Sequence, residues 1–84
     1  MTFIAHINIM PLKELLDPQG KAVEASLHAL SLQSIHNVRI GKHITLEIET
    51  SNEDEAKTIA TQACDKMLCN AVMEKYEITI LTNI

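Results

Sequence analysis

The sequence predicts an α+β fold in which two amphipathic helices cover one face of an antiparallel sheet. Apolar residues alternate with period two near residues 2–10, 35–49 and 76–80. Two other stretches carry apolar residues at helical spacing, and each opens on a capping residue. The connections are short. The resulting order is β-α-β-β-α-β, a ferredoxin-like sandwich, as one domain over residues 1–84.

The first strand puts Phe3, Ala5, Ile7 and Ile9 on one face and His6 and Asn8 on the other, with Ile4 and Met10 at its ends. Pro11 stops it or bends it out of the ladder. Asp17-Pro18 then reads as a helix start, since Asp17 accepts from a free first-turn N–H and Pro18 suits the first helical position. Val23, Leu27 and Leu30, with Ala22 and Ala29 alongside, predict an apolar stripe running to about Ser31. Gly20 in the first turn costs about 1 kcal/mol of helix propensity against Ala. Its presence points to a close approach to the backbone there.

Residues 35–49 read as a long β segment with Val38, Ile40, Ile44, Leu46 and Ile48 on one face. Gly41-Lys42 within it is either a hairpin turn or a bulge. Ser51 opens the second helix, with Asp54 three residues on in the manner of a capping box. Ala56, Ile59, Ala60, Ala63 and Met67 form its stripe, and Asn70 suits a left-handed C-cap. A last strand turns Tyr76, Ile78 and Ile80 inward and Glu77 and Thr79 outward.

A chain of 84 residues buries a modest core and gains from association. Phe3 and Tyr76 are its aromatics, so the core is aliphatic and there are few stacking surfaces for RNA. A net charge of −4 repels phosphate backbones and disfavours nucleic acid. No apolar run approaches the roughly 20 residues of a membrane span. No signal peptide is visible, and Cys64 and Cys69 read as free thiols, so a cytoplasmic location is expected. The sheet face without helices mixes polar and apolar residues, a natural place for self-association.

No catalytic set emerges. His6, His28, His36 and His43 are scattered without the spacing that aims two imidazoles at one metal ion, so no metal site is expected. Gly41-Lys42 lacks the earlier glycine and the following Ser or Thr of a phosphate loop. Cys64 and Cys69 are five apart, not C-x-x-C. Asp17 is explained by capping alone. The residues read as a small binding or assembly module.

Two strings exceed what folding requires. Residues 16–24 read L-D-P-Q-G-K-A-V-E, and residues 37–42 read N-V-R-I-G-K, followed by I-T-L-E-I-E. With Cys64-Asp65-Lys66 and Tyr76-Glu77-Ile78 near the end, the chain resembles the PurS family over nearly its whole length. This family supplies the small subunit of bacterial phosphoribosylformylglycinamidine synthase. Glu14, Ser31 and Ala71 stand where that family usually has Gly, Gly and Pro.

The resemblance implies a non-catalytic subunit that bridges a glutaminase and an ATP-dependent synthetase. The glutaminase releases ammonia. The synthetase phosphorylates the amide oxygen of formylglycinamide ribonucleotide, and ammonia displaces the phosphate. ATP and Mg belong to the synthetase partner, and no cofactor is expected on this chain. Self-association as a dimer or tetramer is also implied. Asp17, Pro18, Gln19, Gly20, Lys21, Asn37, Arg39, Gly41 and Lys42 become docking candidates, with Lys21 and Arg39 offered to partner carboxylates. The alternative is a small-molecule-sensing regulatory module on the same fold.

Overall fold

The structure, a computed structural model, describes residues 1–83. Its elements are β1 (Thr2–Pro11), α1 (Pro18–Ala29), β2 (Lys42–Glu49), α2 (Glu53–Ala63) continued by a π-helical turn (Cys64–Leu68), and β3 (Glu74–Asn83). The sheet is antiparallel in the order β2-β1-β3. β1 lies central: Ile7 faces Ile44 on one side and Ile78 on the other.

The α+β class stands, with three strands in the described sheet rather than four. Residues 36–40 do not pair as a strand, although their parity fits one. Gly41 is therefore neither a hairpin turn nor a bulge. It sits just before β2, where a Cβ would collide with the carbonyl of Ile9 and the sulfur of Met10. Only this close approach lets the chain enter the ladder beside β1.

Phe3, Ala5, Ile7, Ile9 and Ile48 are buried on the inner sheet face against Ala56, Ala60 and Cys64 of the α2 side. Small residues on α2 let the helix sit close to the sheet. Its N-cap is Asn52, not Ser51: the Asn52 side chain accepts from the Glu55 N–H at 2.8 Å, while Ser51 Oγ donates to the Glu55 carboxylate. The π turn inserts a residue, with Cys69 N–H reaching back to the Cys64 carbonyl. That insertion rotates the buried face from Met67, which is 85% exposed, to Leu68 and Cys69. Asn70 makes an Asx turn, its side chain accepting from the Val72 N–H at 3.1 Å, and does not adopt the left-handed cap.

α1 departs most from expectation. It makes no substantial contact with the strands or with α2, so one helix covers the sheet, not two. Gly20 is its buried residue, while Val23 and Leu30 of the predicted stripe are exposed. The radius of gyration is 16.4 Å, against about 12 Å for a compact domain of this length. The helix stops in a Schellman arrangement, with Leu32 N–H donating to the Leu27 carbonyl and Ser31 N–H to the His28 carbonyl. Ser31 takes φ 69° there, a left-handed position that suits glycine.

Candidate functional site

The two strings singled out in the sequence meet in space. Residues 37–40 run across the first turns of α1, and one carboxylate ties the two together. Asp17 Oδ1 accepts from the Gly20 N–H at 3.0 Å, capping the helix. Asp17 Oδ2 accepts from the Ile40 N–H at 2.8 Å and lies 3.6 Å from Arg39 Nε. These bonds, the Gly20 N–H first, hold the Asp17 carboxyl below its usual range. A Cβ on Gly20 would run into the Val38 carbonyl. The backbone that approaches Gly20 is thus the chain's own.

Arg39 is engaged within the chain. Its guanidinium donates to the carbonyls of Leu12 at 2.7 Å, Lys13 at 3.1 Å and Pro11 at 3.4 Å. It thereby pins the loop that leads out of β1, in place of the bidentate carboxylate pairing its residue type suggested. Glu24, one turn beyond Gly20, accepts from the Val38 N–H at 3.1 Å. That bond chiefly lowers the Glu24 carboxyl, with His28 and His36 adding to it.

The result is an open cleft of about 440 Å³ between the loop, α1 and the crossing segment. Glu14, Leu15, Leu16, Asp17, Lys21, Glu24, Asn37, Val38 and Arg39 line it. Its lining residues include no Ser, Thr, Cys or His, and its polar groups are the carboxylates of Glu14, Asp17 and Glu24, the Lys21 amine, the Asn37 amide and the Arg39 guanidinium. Asp17, Gly20, Arg39 and Gly41 are absorbed in holding the chain's own geometry. Pro18, Gln19, Lys21 and Asn37 are exposed around them, Asn37 at φ 59°. Lys42 lies apart, 3.9 Å from the Glu74 carboxylate.

Spacing alone missed what the fold does with the other polar residues. The histidines form two pairs. His6 Nδ1 lies 3.2 Å from His43 Nε2, and His43 Nδ1 lies 2.5 Å from Asn8 Oδ1, on the open sheet face. His28 and His36 stand with ring centroids 5.9 Å apart, beside Glu24. The signal available was Glu24-x-x-x-His28, which puts a carboxylate and an imidazole on one helical face. Cys64 is buried and Cys69 half-buried, both free, and burial pushes both thiols up, away from redox reactivity. No helix among the described residues is long and apolar enough to cross a membrane.

Residues 4–82 match the family model described as PurS, phosphoribosylformylglycinamidine (FGAM) synthase. The phosphoribosylformylglycinamidine synthase subunit PurS of Bacillus subtilis is 44% identical over 66 residues, covering 77% of each chain. The subunit of the same name from Thermotoga maritima is 37% identical over 62 residues, 74% of this chain and 76% of that one. Among solved structures, PurLQS from Thermotoga maritima contains a chain that superposes with a TM-score of 0.89 at 32% identity, covering 96% of this chain and 99% of that one.

Proposed function

The chain belongs to the PurS family, and we propose from that premise that it is the non-catalytic assembly subunit of phosphoribosylformylglycinamidine synthase in purine biosynthesis. It joins a glutaminase subunit to an ATP-dependent synthetase subunit. The overall reaction converts ATP, formylglycinamide ribonucleotide, glutamine and water to formylglycinamidine ribonucleotide, ADP, phosphate and glutamate. The observation that carries this reading is the match of the whole fold to a chain in the solved PurLQS structure.

The shape supports it. An accessible surface of 6046 Å² exceeds the roughly 5,000 Å² of a compact monomer of this mass. The excess comes with a helix whose apolar residues lie uncovered, Leu30 at 71% exposure among them. A second copy and the larger subunits would cover this surface, giving a homo-oligomer within the complex. Gln19 and Lys21, exposed beside a fixed helix start, are the docking contacts left free by the internal lacing. Ammonia passes between the large subunits and must be kept from water, where it is protonated and lost. The chain's part is to hold the two active centres in register. ATP and Mg are used on the synthetase, and the enzyme works in the cytoplasm.

The test is reconstitution. Purified synthetase and glutaminase are mixed with and without this chain, and amidine formation is followed with glutamine or ammonium as donor. Glutamine-dependent turnover should require the chain, while ammonia-dependent turnover should change less. Equal glutamine-dependent rates in both mixtures would overturn the assignment.

A further inference from the structure

Glu24, His28 and His36 are the three described residues whose ligand atoms converge. A carboxylate oxygen of Glu24 and a ring nitrogen of each histidine all lie within 4.8 Å of one another. Glu24 and His28 stand one helical turn apart on α1, and His36 arrives from the segment that folds back after Ser31.

Two of the three are already oriented by the backbone. His28 Nε2 lies 2.7 Å from the Ile35 carbonyl. A carbonyl only accepts, so that nitrogen carries the hydrogen and Nδ1 keeps its lone pair. One oxygen of Glu24 accepts from the Val38 N–H at 3.1 Å, which fixes the carboxylate against the returning segment. A ligand whose second polar atom is held by a backbone group is the usual support of a bound metal, because it fixes tautomer and ring orientation beforehand. His36 is exposed and turns its ring edge-to-face toward His28, at an interplanar angle of 72°.

We infer that Glu24, His28 and His36 form a binding site for a divalent transition-metal ion of the zinc class. Two imidazoles and one carboxylate suit zinc, nickel or copper and not magnesium or calcium, which take oxygen ligands. Bonds of about 2.0–2.1 Å in tetrahedral geometry place ligand atoms about 3.3 Å apart. Closing from within 4.8 Å to that spacing asks for side-chain rotation, chiefly of exposed His36. Bound there, the ion would fasten the segment around residues 35–38 to α1, adding a coordinate link where the chain now relies on single hydrogen bonds.

The experiment is calorimetric titration of the untagged full chain with zinc chloride, in wild type, His36→Ala, and the double variant His6→Ala/His43→Ala. Wild type should take about one zinc per chain, and His36→Ala should lose affinity by roughly tenfold or more. The double variant removes the other histidine pair and should bind as wild type does. Thermal melts should rise with zinc in wild type and in the double variant, and not in His36→Ala. Since His36 is exposed, its loss should leave the fold intact. No binding to wild type at millimolar zinc, undiminished binding to His36→Ala, or loss of binding in the double variant would each overturn the site.

Discussion

The sheet with α2 and the arm formed by residues 12–41 are held together by different forces. In the first, Ile7, Ile9 and Cys64 are fully buried, and the strands share two unbroken ladders. In the second, Gly20 is the one buried residue of α1, and the arm's shape is fixed by polar bonds from Asp17, Glu24, His28 and Arg39. Apolar burial is non-directional and tolerates exchange among similar side chains. Hydrogen bonds from single carboxylates to single N–H groups are not tolerant in that way, since losing one partner orphans the other. The body thus supplies stability through burial, while the arm takes its shape from individual polar bonds.

Substituting Ile7→Ala should break the body outright. Ile7 is fully buried between both flanking strands, so the change should cost about 2–5 kcal/mol and lower the melting temperature of the whole chain. A melt that shifts only slightly would show that the sheet is not the stable unit.

Gly20→Ala should act on the arm instead. The added methyl would meet the Val38 carbonyl, displacing the crossing segment at a cost of about 1–3 kcal/mol. Hydrogen exchange should speed up at Ile40 and Val38 and stay slow at Ile7. If protection in β1 falls equally, the two regions are one cooperative unit and the contrast fails.

Mild acid should give the smallest and most local effect. Asp17 and Glu24 both titrate below their ordinary values of 3.8 and 4.5, because backbone N–H groups favour the carboxylates. A depressed folded-state value means that the contribution is fully present above the ordinary value and is lost as pH falls through the lowered one. The amide resonances of Ile40 and Val38 should therefore move as pH falls below the ordinary values of 3.8 for Asp17 and 4.5 for Glu24, reporting release of the segment from α1, while the Ile7 amide stays. Titration curves that leave Ile40 and Val38 unmoved through this range would remove both carboxylates from the lacing.

Alternation in residues 2–10 and 76–80 made β1 and β3 legible, because period two assigns every second side chain to the buried face. The Asp17-Pro18 helix start was equally plain, since capping is a local event. The same alternation misled at Val38 and Ile40. Their N–H groups are taken by Glu24 and Asp17, side chains 14 and 23 residues away, and no local pattern reports such a partner. Met67 misled because a single π insertion shifts the helical phase. The candidate site was half legible. Its two strings stood out by residue type, but that Arg39 would turn inward and Gln19 and Lys21 outward was not written in either.

The sequence by itself determined the α+β class, the inner sheet face, the Asp17-Pro18 helix start and the family, because these depend on short-range periodicity, capping and recognisable strings. Tertiary structure decided that α1 does not pack on the sheet, that Asp17 joins two distant segments, and that Glu24, His28 and His36 converge. Each of these depends on where the chain returns after Ser31, a path set by packing and hydrogen bonds between residues far apart in the sequence.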